Sequence, residues 1–185
     1  LPAKIKFGGM DPYLPLLKLE NDQVTISGIA LFDKDKFVDQ IDYSDLFVFT
    51  VLSETSENGS YKVRTDTYVR NLGSKRKFLV RNIKTTPEIT VNLQINGIIR
   101  QHSGKKIQQK KMYKKVEQQM EQDVKEQAEK MIKKFQTLKI DPLGFGEQVR
   151  SRTRNWDEKK WNDMYPTINV NVKVDVKITE SGVVE

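Results

Sequence analysis

The sequence predicts an α+β domain: a mostly antiparallel β-sheet packed against one long amphipathic α-helix, with short helices before the C-terminal strand. Three stretches carry that expectation. From about Ile107 to Leu138, apolar residues fall at Tyr113, Val116, Met120, Val124, Ala128, Met131, Phe135 and Leu138. Steps of three or four keep one stripe on one side of a helix, which at 1.5 Å per residue reaches on the order of 45 Å. From Ile168 to Ile178, Ile168, Val170, Val172, Val174, Val176 and Ile178 alternate with polar residues, giving a strand with one dry and one wet face. Sheets of that kind are commonly antiparallel and rest on a helix. Between the two lies Asp141-Pro142-Leu143-Gly144-Phe145-Gly146, where Pro142 stops the helix and the glycines let the chain turn back with Phe145 held inward.

The other elements follow in order. Residues 1–23 hold Pro2, Gly8, Gly9, Pro12 and Pro15 without sustained periodicity, so they read as an irregular connector or the edge of a preceding domain, and residues 24–185 as a single C-terminal α+β domain. Val24 to Phe32 alternates as a strand, Asp33-Lys34-Asp35 supplies a turn, and Phe37, Val38 and Ile41 begin a second element, which together suggest a hairpin. Leu46 to Leu52 reads as a strand, although Asp42-Tyr43-Ser44-Asp45 equally starts a short helix into the same residues. Asn58-Gly59 offers a two-residue hairpin turn leading to Tyr61–Arg70, and Gly73 breaks the run. Arg76 to Ile83 and Glu88 to Arg100 are further strands around Thr86-Pro87, with Asn96-Gly97 a tight turn or a bulge. Gly146 to about Arg154 and Trp156 to about Met164 suit two short helices ended by Pro166.

Size and charge narrow the function. A chain of 185 residues that is 37% hydrophobic buries one core. No apolar run approaches the roughly 20 residues that span a bilayer. Leu1 in place of Met, with no signal sequence, gives the expectation of a mature or trimmed fragment. The absence of cysteine excludes disulfides and thiolate chemistry. The net charge of +7 is localised: Arg100, Lys105, Lys106, Lys110, Lys111, Lys114 and Lys115 occur with no acidic neighbour among residues 100–115. Removing those seven from the 32 basic residues leaves 25, equal to the 25 acidic ones. Lysines at a helix N-terminus oppose the macrodipole by about 0.3–1 kcal/mol each, so helix stability does not explain them. They form either a solvated face or a docking surface for anionic lipid or an acidic partner.

Chemistry is scarce. His102 is the only histidine and has no nucleophile and carboxylate at a recognisable spacing. Glu121, Asp123, Glu126 and Glu129 lie among lysines and read as ordinary decoration of an exposed helix face. Asp33-Lys34-Asp35 is too short for a calcium loop, and Gly144-Phe145-Gly146 lacks the lysine and hydroxyl of a phosphate loop. Trp156 and Trp161 read as core filling, with ligand stacking as the other role. The short basic patch has no nucleic-acid motif beside it, and Tyr113 belongs to the apolar stripe. No enzyme, cofactor, metal or nucleic-acid partner is expected.

Several segments in order resemble one family. Ile26-Ser27-Gly28-Ile29-Ala30-Leu31-Phe32-Asp33-Lys34-Asp35-Lys36, Ser74-Lys75-Arg76-Lys77, Asn96-Gly97-Ile98-Ile99, Ile140 to Glu147 with Asp141, Gly144, Phe145 and Gly146, then Trp156, Trp161, Met164-Tyr165-Pro166 and Ser181-Gly182 are similar to the C-terminal part of the Ger(x)C lipoproteins. These are the C subunits of nutrient germinant receptors in endospore formers. The resemblance implies a lipoprotein tethered to the outer face of the spore inner membrane beside membrane-embedded A and B subunits, working in assembly or signal coupling. It implies a lipid-carrying cysteine that this sequence does not contain, and it leaves direct binding of the nutrient germinant as the alternative role. On that reading Lys105, Lys106, Lys110, Lys111, Lys114 and Lys115 face a partner or an anionic membrane surface.

Overall fold

The computed structural model describes residues 10–63, 67–83, 85–99 and 106–180. The chain runs β1 (Tyr13–Glu20), β2 (Gln23–Asp33), β3 (Lys36–Asp42), a 3-10 turn (Tyr43–Asp45) and α1 (Leu46–Ser53). It continues through β4 (Ser56–Val63), β5 (Thr67–Arg81), β6 (Glu88–Ile99), α2 (Lys106–Leu138), α3 (Phe145–Arg150), α4 (Glu158–Met164), a second 3-10 turn (Tyr165–Thr167) and β7 (Asn169–Glu180). The α+β class and the single long helix stand as expected. The strands divide into two sheets, β1-β2-β3 and β4-β5-β6-β7, and every pair is antiparallel except β6 with β7. A parallel neighbour needs a long crossover. Here α2, α3 and α4 make it.

The helix α2 lies along β7, antiparallel to it. Val176 N donates to Glu121 Oε1 at 3.0 Å and Ile178 N to Glu117 Oε1 at 2.8 Å, while Gln136 Nε2 donates to Ile168 O at 2.9 Å. The lengths agree: from Glu117 to Gln136 a helix rises about 28 Å, and from Ile168 to Ile178 a strand spans about 33 Å. Val116, Met120, Val124, Ala128, Met131 and Phe135 are buried as the stripe requires, and Tyr113 and Leu138 pack at its ends. They meet the inner face of β6 (Ile89, Val91, Leu93, Ile95) and the apolar residues of α1 in one core. Tyr13 stands edge-on to Phe49 at 4.8 Å and Phe49 to Phe135 at 6.4 Å, which joins the first sheet to that core.

Four local expectations are corrected. The stretch to Gln23, expected to be irregular, holds β1. Its apolar alternation (Tyr13, Leu17, Leu19) is interrupted by Pro15, which an edge strand tolerates because it need not donate inward at every residue. Leu46 to Leu52 is not a strand but a helix entered from Tyr43–Asp45, the second of the two readings open in the sequence. Val48, Phe49, Val51 and Leu52 are all buried, and a helix enclosed on every side is apolar all round and loses the 3.6-residue signature. Asn58-Gly59 is no hairpin turn. It sits inside β4 at a register irregularity, where Gly59 pairs with Leu72. Gly73 does not end its strand: β5 runs through it with a register shift between Arg70 and Gly73, opposite Asn96-Gly97 in β6. Of the two options for Asn96-Gly97, the irregular ladder is the one that forms. His102, Lys105, Ser181 and Gly182 lie outside the described residues, as does the side chain of Lys106.

Candidate functional site: a carboxylate-centred turn and a lysine face

The end of α2 closes by hydrogen bonding that needs no glycine. Lys139 N donates to Gln136 O at 3.2 Å and Ile140 N to Phe135 O at 3.1 Å, with Lys139 left-handed at φ 56°. This is a Schellman closure, and Ile140 packs with Phe135 as that motif favours. The chain then enters the turn at Asp141. Asp141 is only 7% exposed. Its Oδ1 accepts from Phe145 N at 2.9 Å and its Oδ2 from Gly146 N at 2.6 Å, so it caps α3 from four residues upstream. Asp141 N in turn donates to Asp11 Oδ2 at 2.6 Å, which ties the segment before β1 to this turn.

Burial sets the electrostatics. It pushes the Asp141 carboxyl up to about 6, against the opposing pull of the backbone N–H groups of Gly146 and Phe145. Burial likewise raises Asp11, opposed by N–H groups of Asp141 and Lys34. Perturbed carboxylates mark functional sites, but both Asp141 oxygens are occupied by the backbone, which leaves it the geometry of an anchor and not of a proton donor. Tyr165 donates its hydroxyl to Ile140 O at 2.9 Å, and burial raises its pKa, keeping it a donor.

The two glycines have different causes. Gly144 is left-handed at φ 75°, where a side chain is strained. At Gly146 a Cβ would stand 2.8 Å from Trp161 Nε1, so only glycine admits the indole. Phe145 is fully buried and meets Phe78 edge-on at 5.5 Å, and the Arg76 guanidinium lies 4.5 Å over the Phe78 ring. Arg76 also donates to Leu52 O at the end of α1. Trp156, Trp161 and Tyr165 stack in sequence at 5.9 and 5.3 Å. Trp161 is buried in the core, and Trp156 is half-buried at its edge. Around this stack opens a cleft of about 810 Å³, lined among others by Met10, Asp11, Lys34, Lys139, Trp156 and Trp161.

The lysine face is elsewhere. Lys110, Lys111, Lys114 and Lys115 are all exposed near the start of α2, about 40 Å along the helix from Asp141. Of the carboxylates on α2, Glu126 and Glu129 are exposed and pair with Gln122 and Lys125 four residues away, as expected, whereas Asp123 and Glu121 depart from expectation. Asp123 is buried at 2% exposure and accepts from Gln119 Nε2 at 3.1 Å, and Glu121 reaches the β7 backbone. Among the described residues, no group of three or more His, Cys, Asp or Glu is placed to hold a metal, and no helix is long and apolar enough to cross a membrane.

Comparison with known proteins decides the family. The family described as "Spore germination B3/ GerAC like, C-terminal" matches residues 27–182. The chain belongs to that family. The spore germination protein GerQC of Bacillus cereus is 30% identical over 182 residues, which cover 95% of this chain and 51% of the relative. YfkR of Bacillus subtilis (strain 168), named as a spore germination protein, is 22% identical over 95% of this chain and 50% of its own length. The chain thus spans about half the length of the curated relatives it matches. The crystal structure of the GerBC protein has the same fold, with a TM-score of 0.72 and 15% identity over 92% of this chain and 57% of that chain.

Within this GerAC-like domain, several of the residues that carried the resemblance converge. Asp141, Gly144, Phe145 and Gly146 form one turn, Trp161 of α4 packs against it at Gly146, Trp156 stacks at its edge, and Arg76 reaches it through Phe78. Sequence reading missed Asp11, Glu117 and the buried role of Tyr165. Asp11 sits in a proline-rich stretch without periodicity. Glu117 has the spacing of any surface glutamate on a helix. Tyr165 was legible only as part of the Met164-Tyr165-Pro166 segment.

Proposed function

We propose that this GerAC-like domain is the C-terminal domain of the C subunit of a nutrient germinant receptor and works without catalysis, in receptor assembly or signal coupling. The subunit sits on the outer face of the spore inner membrane, lipid-anchored through a segment outside this sequence, beside the membrane-embedded A and B subunits. One observation carries the docking role: four exposed lysines on one end of a rigid helix, in a stretch with no acidic residue. Near an anionic surface each lysine contributes about 1 kcal/mol, enough together to orient a tethered domain. The buried carboxylates support the absence of catalysis, because the most perturbed of them spends both oxygens on the backbone.

Sedimentation with anionic vesicles tests the surface. Wild type binds and the Lys110→Glu/Lys111→Glu/Lys114→Glu/Lys115→Glu variant does not, and raising salt weakens binding because exposed charges are screened over about 8–10 Å. Equal binding by both proteins removes the lysine face from the account. The cleft beside Trp156 favours a second reading, direct binding of a small nutrient, since its size suits a small molecule. Calorimetry with amino acids and sugars separates the two: saturable binding that a Trp156→Ala variant loses supports the second.

A further inference from the structure

The β1–β2 hairpin continues past the sheet that supports it. β3 pairs with β2 only from Gly28 to Asp33, so Leu17–Glu20 and Gln23–Ile26 form a two-stranded ribbon with no third strand. The ribbon is well defined. Asn21 and Asp22 close it with φ of 47° and 59°, the pair of positive angles that a two-residue hairpin turn of matching twist requires. Lys18 and Glu20 pair at 2.6 Å on one face, and Ser27 Oγ donates to Leu16 O at 3.3 Å where the register shifts.

That register shift decides which face is apolar. On β1, Tyr13, Pro15, Leu17 and Leu19 share one side by simple alternation, and Tyr13 is in the core. On β2, Leu31 and Ile29 oppose Tyr13 and Pro15, and the extra residue at Ser27 brings Ile26 and Val24 opposite Leu17 and Leu19 on the same side. The core-facing side of the first sheet therefore runs on without a break into solvent. There Leu17, Leu19 and Val24 are 64%, 69% and 67% exposed. A two-stranded ribbon is marginal in water by itself, and a contiguous apolar face on one marks a contact.

We infer that this face is an intramolecular interface, seated on an apolar surface of a folded half that precedes the domain. Three observations select that occupant. The face is continuous with the domain's own core, so a second body placed there extends that core. The chain spans 51% and 50% of its curated relatives, and its family is described as C-terminal, which puts the other half of those relatives upstream of β1. A body joined upstream of β1 in the same chain meets the ribbon at the effective concentration its tether sets, which a separate molecule lacks. Charge argues against an anionic membrane as the occupant: residues 17–26 carry Lys18 against Glu20 and Asp22.

The test uses the full-length protein. A photo-crosslinker replacing Leu19 captures the preceding half within the same molecule, and hydrogen exchange of the ribbon amides is slow. In the Leu19→Thr/Val24→Thr variant, which keeps strand-forming residues, exchange rises about tenfold both in the ribbon and on one contiguous surface of the preceding half. Crosslinks to a second copy or to lipid overturn the inference. So does a variant whose exchange rises in the ribbon alone. Loss of vesicle binding by the lysine variant bears only on the proposed function, so the two readings fail separately.

Discussion

Asp141 holds a carboxyl group where water hardly reaches it, between the N–H groups of Phe145 and Gly146. Its pKa of about 6 lies above the ordinary 3.8, so the folded state binds this proton more tightly than the unfolded chain does. The stability it contributes is complete below about pH 4 and is lost as pH rises through about 6, a change on the order of 3 kcal/mol. Urea denaturation between pH 4 and 7 shows this as a downward slope in wild type relative to Asp141→Asn, which has no proton to release. Parallel pH profiles would refute it. At Phe145, fully buried against Phe78, Phe145→Ala is expected to lower stability by about 3–5 kcal/mol, read from the same denaturation curves. An unchanged midpoint would mean that the ring is not part of the core. The turn residues Asp141, Gly144, Phe145 and Gly146 were visible in the sequence because proline and glycine punctuate a chain. The tie between Asp141 and Asp11 was not, since nothing local in a chain announces a hydrogen bond across 130 positions.

A parallel edge strand leaves backbone N–H groups facing outward, and sheets protect such edges. Here α2 does so, with Glu117 and Glu121 accepting from Ile178 and Val176 four residues apart on one helix face. Replacing both by alanine is expected to cost about 1–3 kcal/mol, since each half-exposed bond to a charged acceptor contributes on the order of 1 kcal/mol. Glu117→Gln/Glu121→Gln keeps an acceptor oxygen and recovers most of the loss. Amide exchange at Val176 and Ile178 is the specific readout: it accelerates in the alanine variant and stays slow in the glutamine one. A loss of stability without that local change would assign the effect to the helix itself. Periodicity made α2 and β7 legible, whereas for the enclosed helix α1 it left strand and helix equally open, and the edge strand β1 was not legible. Six of the eight residues of Leu46–Ser53 are apolar and spread around the helix. In β1, Pro15 breaks a pattern that only pairing with β2 reveals.

At the scale of the molecule, the two regions of interest lie at opposite ends of the long helix, the carboxylate-centred turn at one and the lysine face at the other. A helix packed along the full length of a sheet edge is a rigid strut, so a contact made at the lysines is held in fixed geometry relative to the turn and the cleft. The overall plan followed from two long periodic stretches. The split into two sheets did not, because the choice of pairing partner depends on tertiary contacts that alternation leaves open. The docking role is tested most directly in spores, with the full-length protein carrying a photo-crosslinker at Lys111 or Lys114 and, as a control, at the exposed Lys159 of α4. The account expects Lys111 and Lys114 to capture a membrane-embedded receptor subunit or anionic lipid while Lys159 captures neither. The same capture pattern at all three positions, or none at Lys111 and Lys114, would contradict it.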